Sequence, residues 1–217
     1  MTNMQIQNKI LKRRIIEISY KKKLSHIGSC LSTVDTIIDL YKIMKEGDRF
    51  ILSNGHSALA LYCILEQYWG KNAEDIFDHH GVHPDRCNSC HIDASSGSLG
   101  HGLPIALGMG LADKDKEVYC IVSDGECSEG SIWEAFRIQK ELYVTNLHVY
   151  VILNGYGAYK KINPMALNNQ IEYMSWAKPV WVNMDDYPQT MNWLKTQEAH
   201  YRIMDEFDYR EFMGILL

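Results

Sequence analysis

Glu117-Val-Tyr-Cys-Ile-Val-Ser-Asp-Gly-Glu126 and His148-Val-Tyr-Val-Ile-Leu-Asn154 are the stretches whose reading decides the fold. Each is a short apolar run rich in β-branched residues that stops on an oxygen-bearing side chain, Asp124 in the first and Asn154 in the second. Between them, Ser128–Leu142 has the apolar spacing of a helix. Strand, helix, strand is one crossover unit. It lays both strands parallel in one sheet and directs ligands to the rim beyond their carboxyl ends. Asp124 and Asn154 are therefore expected side by side on that rim. A carboxylate and an amide oxygen form a hard donor set, suited to Ca²⁺ or to a Mg²⁺ that also holds a phosphate. The same residues have a plainer reading, in which Asp124 caps the helix and Asn154 makes a turn.

Outward from this unit, strand and helix patterns alternate, as in an α/β protein with a mostly parallel sheet. Residues 4–23 have helical spacing and carry two basic clusters, Lys12-Arg13-Arg14 and Lys21-Lys22-Lys23, which read as a solvated helix face. Leu24-Ser-His-Ile-Gly28 is a break. Ser32 is expected to cap a helix over Val34–Ile43, followed by a strand at Arg49–Leu52, a turn at Ser53–His56 and a helix at Ser57–Trp69. A further helix is expected after Asn72, a small-residue helix over Leu103–Asp113, a strand at Pro179–Asn183 and a terminal helix over Asp205–Leu216. The 217 residues suit one domain, read as 1–217, and no Pro/Gly linker divides them. The net charge of −5 leaves no whole-chain footprint for nucleic acid, and no apolar run approaches a membrane span. The N-terminus lacks the apolar core of a signal peptide, so an intracellular, cytoplasmic location with reduced cysteines is expected.

His26, His56 and His83 each lie in a break containing Gly, Ser or Pro, beside a predicted element. A lone histidine in such a place is more often structural than catalytic, while three of them together also admit a proton-handling or phosphate-binding site. The aperiodic stretch 79–98 reads as a long loop and holds His79, His80, His83, Cys87, Cys90 and His91. The Cys87-x-x-Cys90 spacing also permits zinc, though no regular second half-site completes it. Gly97-Ser-Leu-Gly-His-Gly102 resembles a phosphate cradle at a helix start, with close helix packing as the alternative. It is neither a Walker loop nor a dinucleotide fingerprint, because no Gly-Lys-Ser/Thr follows and no strand directly precedes it.

Together these pieces resemble the thiamine-diphosphate-binding half of transketolase. The family's Gly-Asp-Gly … Asn pattern reads here as Ser123-Asp124-Gly125 … Asn154, with Glu129-Gly130 and Trp133-Glu-Ala135 in place. Ser25-His26-Ile-Gly28-Ser29, Asp48–His56, His83-Pro-Asp85 and Ser96–Gly102 follow the family in the same order, and the resemblance covers about residues 5–160. It implies a three-layer α/β fold with a mostly parallel sheet flanked by helices. It also implies thiamine diphosphate and Mg²⁺ (or Ca²⁺) as cofactors. Asp124, Asn154 and the Tyr156 carbonyl would hold the metal, and Gly125 would let the backbone approach the diphosphate. His26, His56 and His83 would be the active-site histidines, with His56 also on the cofactor. Gly97, Ser98 and Leu99 would touch its rings, Glu129 would link two cofactor sites across a dimer, and His200 resembles a late histidine near the diphosphate.

The activity implied is transfer of a two-carbon ketol unit from a ketose to an aldose. The family's pyrimidine domain, with its activating glutamate, is not found in the chain. A separate pyrimidine-domain subunit is therefore expected, in a homodimer or heterotetramer acting on a sugar or sugar phosphate. Two alternatives stay open: a non-catalytic thiamine-diphosphate-binding or assembly protein, and another ketol-forming enzyme like 1-deoxyxylulose-5-phosphate synthase. Two departures matter. Ser123 replaces the family's first glycine; a serine at a strand end is tolerable there, with crowding near the phosphate as the alternative. The stretch between Asn154 and His200 is short for the family, which leaves His200 the least secure of the site residues.

Overall fold

The computed structural model describes residues 3–157, 160–183, 187 and 189–216. Four strands, β1 (Arg49–Leu52), β2 (Val118–Ser123), β3 (Leu147–Leu153) and β4 (Lys178–Trp181), pair parallel in the order β1-β2-β3-β4. The helices are α1 (Asn3–Lys22), α2 (Ile27–Ile43), α3 (Ala58–Trp69), α4 (Ala73–His80), α5 (Gly102–Ala112), α6 (Gly130–Glu141), α7 (Pro164–Met174) and α8 (Glu206–Ile215). The α/β expectation, a parallel sheet flanked by helices, holds. None of the described helices is long and apolar enough to cross a membrane.

The chain separates into two compact units. One comprises Leu40–Gly55 and His83–Asn183, the other Met1–Asp39, His56–Val82 and Met184–Leu217. The first holds the whole sheet. Because its strands follow one another in sequence order, right-handed crossovers place successive helices on one face. Val118, Cys120 and Val122 of β2 and Val149 and Val151 of β3 point to that face. They meet Leu103, Ala106 and Leu107 of α5, Ile132, Ala135 and Phe136 of α6, and Leu167 and Ile171 of α7. Alternate residues of a strand share a face, so every second β2 residue enters this core.

The other unit is helical, with Ile15, Ile16, Ile18, Ile38, Tyr62, Ile64, Leu65 and Phe212 among its fully buried side chains. Here the basic clusters of α1 are not simply solvated. Lys12 pairs with Asp35 at 2.6 Å, Arg14 with Glu66 at 2.9 Å and with Glu74 at 3.3 Å, and Lys22 with Asp78. Acids on α2, α3 and α4 absorb the charge that the sequence left without a partner.

Several local expectations shift. α2 starts at Ile27, not after Ser32, whose hydroxyl donates to Gly28 O at 2.8 Å within the helix. A serine inside a helix satisfies itself on the carbonyl four residues back, so its cap-like composition misleads. α4 runs through His80 into the stretch read as loop, with the Asn72 side chain accepting from Glu74 N and Asp75 N. α7 was not anticipated, although Asn163-Pro164 is a cap followed by a proline at the first helical position.

Candidate functional site

Asp124 is the first residue beyond β2 and Asn154 the first beyond β3. Register sets them together: Ser123 lies opposite Ile152, and Asp124 N extends the ladder by donating to Ile152 O at 3.0 Å. The Asp124 carboxylate is buried. Its Oδ1 accepts from Gly125 N at 2.9 Å, and its Oδ2 accepts from Asn154 N at 3.1 Å and Gly155 N at 2.7 Å. Gly155 holds φ +83°, a left-handed conformation that turns its N–H onto the carboxylate without a Cβ penalty. Asp124 does not cap a helix, because α6 begins at Gly130 behind Glu129, which makes no side-chain cap. Asn154 does make the turn of the plainer reading, its Oδ1 accepting from Tyr156 N at 2.9 Å.

Among the described residues no Lys or Arg pairs with Asp124. Burial pushes its carboxyl up to about 6, only partly opposed by the N–H donors of Gly155, Gly125 and Asn154. The Asp124 carboxylate and the Asn154 amide, next to each other at the ends of β2 and β3, are oxygen donors with one negative charge, and this chemistry fits a divalent cation of the Mg²⁺ type.

Behind the rim lies a residue that the sequence reading missed. Glu126 is fully buried. Its Oε1 accepts from Ser53 Oγ at 2.7 Å and Gly100 N at 3.1 Å, and its Oε2 accepts from Ser123 N at 3.1 Å. One carboxylate thus joins the end of β1, the glycine strip and the end of β2. Burial raises its pKa, Ser53, Ser123 and Gly100 oppose that, and nearby Glu129 adds to it. Composition offers one weak signal, an acid between Gly125 and Cys127 where the chain should be turning inward. Ser123, the departure from the glycine of the motif, accepts on its hydroxyl oxygen from Glu126 N at 3.3 Å, so it caps this turn.

The strip 97–102 lies flush against neighbouring backbone. A Cβ on Gly97, which holds φ +130°, would stand 2.6 Å from the His83 ring, and one on Gly55 would stand 2.6 Å from Gly97 N. A Cβ on Gly100 would reach 2.8 Å from Glu129 Cβ. His83, Gly97, Gly100 and Glu129 therefore belong to one surface of the sheet unit, with Ser98 exposed and Leu99 half-buried on it. The helical unit gathers the other histidines. His26 and His56 have ring centroids 5.4 Å apart, and His200 lies 6.1 Å from His26 and 6.2 Å from His56. His26 N donates to His200 O at 3.1 Å. A Cβ on Gly28 would meet Ala199 Cβ at 2.8 Å, so glycine lets the 199–200 backbone close in. His200, least secure in the sequence, thus joins His26 and His56. Its buried Nδ1 has no hydrogen-bond partner among the described residues, and burial lowers its pKa.

The zinc reading gains no closed site within the sheet unit. His83 packs on Gly97, and no three of His83, Cys87, Cys90 and His91 converge on one point.

A parallel-strand rim with this Asp and Asn agrees with the family comparison, in which residues 21–156 match the model described as transketolase, thiamine diphosphate binding domain. The chain belongs to this family. It is 34% identical over 164 residues to an apulose-4-phosphate transketolase subunit of Phocaeicola vulgatus, covering 66% of this chain and 58% of that protein. It is 33% identical over 153 residues to the 6-deoxy-6-sulfo-D-fructose transketolase subunit SqwG of a Clostridium species, covering 61% of this chain and 56% of that protein. The chain thus spans little more than half the length of these curated relatives. Transketolase from Leishmania mexicana superposes with a TM-score of 0.78 over all of this chain and 41% of that one, at 16% identity, which is likeness of fold.

Proposed function

We propose that this family member acts as one thiamine-diphosphate-binding domain, the cofactor-diphosphate subunit of a two-chain transketolase. It would move a two-carbon ketol unit from a ketose to an aldose. The observation that carries the reading is the Asp124 carboxylate, held by three backbone N–H groups beside Asn154 at the ends of parallel strands with no cationic side chain on it. Family membership supports thiamine diphosphate, and the oxygen donor set supports Mg²⁺ or Ca²⁺ at Asp124, Asn154 and Tyr156. When bound, the cofactor supplies the carbanion chemistry that side chains lack.

The chain's own residues orient and hold protons. Gly125 keeps the backbone close to the diphosphate, and Gly97, Ser98 and Leu99 present the strip to the cofactor rings. His26, His56 and His83 bind phosphate oxygens or exchange substrate protons, and His200 adds a mostly neutral imidazole. Glu129, against Gly100, serves the contact between cofactor sites. Both relatives are named as transketolase subunits, which supports a separate partner chain and hence an oligomer. The six cysteines are free of disulfides, and a cytoplasmic setting that keeps them reduced is part of the proposal.

Two results are expected. Mixed with thiamine diphosphate, Mg²⁺ and a ketose–aldose pair, the chain alone should turn over at least about 1,000-fold more slowly than with a pyrimidine-domain partner. A coupled assay for the shortened ketose product measures this, and no transfer with any partner and sugar tried would leave a binding protein. Divalent-cation affinity should also depend on pH with a definite sign. The metal-free Asp124 carboxyl keeps its proton up to about pH 6, so affinity rises about ten-fold per unit below that point and levels off above it. Titration calorimetry from acidic to neutral pH checks this, and a flat profile rules out Asp124 as the ligand.

A further inference from the structure

We propose that Cys87 and Cys90 form a dithiol site that closes reversibly to an intramolecular disulfide by exchange with a small-molecule disulfide such as glutathione disulfide. Neither cysteine takes part in the proposed cofactor chemistry, and the inference stands on the sheet unit by itself.

Geometry carries it. Cys90 N donates to Cys87 O at 3.2 Å, so residues 87–90 form a single tight turn. Such a turn brings its first and fourth Cα atoms within about 7 Å, close to the separation that a disulfide spans. The side chains share one side of the turn: the Ser89 hydroxyl lies 3.3 Å from Cys87 Sγ and 3.9 Å from Cys90 Sγ. Both cysteines are half-exposed, so a small reagent reaches them.

The turn is also the tip of a short hairpin. Cys87 and Ile92 exchange both backbone hydrogen bonds, at 2.9 and 3.0 Å. Below them Arg86 N donates to Ser95 Oγ at 2.8 Å and Ser96 N to Pro84 O at 3.0 Å. A hairpin held at its feet keeps the two sulfurs in register as the second bond forms.

Reactivity follows the same environment. Against a burial that raises it, hydrogen bonds from the side chains and backbone N–H groups of Cys90 and Ser89 bring the Cys87 thiol below its ordinary value. The other four cysteines are shielded. Burial pushes Cys30 up to about 12 and raises Cys63, Cys120 and Cys127 as well. The thiolate is the attacking form, so Cys87 reacts first.

It attacks one sulfur of R–S–S–R and expels RS⁻. Cys90 then gives up its proton and attacks the Cys87 sulfur of the mixed disulfide, expelling the second RS⁻. The two cysteines lose two electrons and two protons, and the reagent leaves as two RSH. A reducing thiol runs the sequence backwards. The new bond closes the tip of the hairpin whose feet are His83 and Gly97.

The test uses the full reduced chain, assayed first for bound metal and then equilibrated with glutathione and its disulfide near neutral pH, quenched with an alkylating agent and weighed intact. Wild type is expected to lose the mass of two hydrogens, mapped to a peptide holding Cys87 and Cys90. Cys90→Ser should stop with one glutathionyl group on Cys87. Cys87→Ser should release thiol about ten-fold more slowly. Three results overturn the proposal: wild type that stops at the mixed disulfide, a disulfide that maps elsewhere, or stoichiometric zinc in the purified chain that Cys87→Ser removes. The wild-type mass decides by itself if either variant fails to fold.

Discussion

Asp124→Ala is expected to abolish saturable binding of thiamine diphosphate with Mg²⁺ at concentrations that saturate the wild type, an affinity loss of at least about 100-fold. Of Asp124 and Asn154 it is the carboxylate that carries charge, and it is also the acceptor that keeps Gly125, Asn154 and Gly155 N–H groups turned inward. On the proposed assignment, its removal takes away the metal's anion together with the acceptor that holds those three N–H groups. Stability should move differently from binding. A carboxyl whose folded pKa is raised from 3.8 to about 6 favours folding fully below pH 4 and loses that contribution as pH rises through 6. The metal-free protein therefore carries a cost of roughly 3 kcal/mol near neutral pH. Mg²⁺ with cofactor should raise the wild-type Tm near neutral pH and leave that of Asp124→Ala unmoved. Calorimetry and paired thermal melts measure both, and undiminished binding by the variant would sink the metal assignment.

Glu126→Ala should destabilise the fold by about 3 kcal/mol and weaken cofactor binding as well, although Glu126 is proposed to touch neither cofactor nor metal. The substitution leaves Ser53 Oγ, Gly100 N and Ser123 N without their shared acceptor inside the protein. It also unties the glycine strip from the ends of β1 and β2, so the strip and the Asp124 rim no longer keep a fixed spacing. Glu126→Gln is the informative companion. Its amide oxygen can take the two bonds at Oε1, while its NH₂ group faces the donor Ser123 N and loses that one. It should therefore cost about 1 kcal/mol and recover most of the binding. Denaturant unfolding and cofactor titration of the pair check this. Equal binding by Ala, Gln and wild type would reduce Glu126 to a core residue with no bearing on the site.

The difference between these two acids explains what could be read in advance. Asp124 was legible because it ends an apolar run, pairs with Asn154 at a crossover's spacing and sits in an ordered set of family motifs. Glu126, two residues on, was not. Nothing local separates a buried acid from an exposed one, and its three donors come from positions 53, 100 and 123, which only the folded sheet brings together. His200 was hard to place for the same reason. Its tie to the histidine cluster is a backbone bond to His26 and a close approach over Gly28, neither of which has a sequence pattern.

By itself the sequence determined the parallel α/β class, the adjacency of Asp124 and Asn154, the glycine strip and the family. The first three rest on periodicities and spacings a few residues to one crossover long, and the family rests on the resemblance of motifs that keep the same order from Ser25 to Asn154. Tertiary structure decided what depends on distant partners: which acids neutralise the α1 cations, which carboxylate ties strip to strands, and which histidines share a cluster. It also decided the state of Asp124 itself. Three backbone N–H groups fix its carboxylate, burial strips its water, and among the described residues no lysine or arginine pairs with it, none of which the sequence around Asp124 shows.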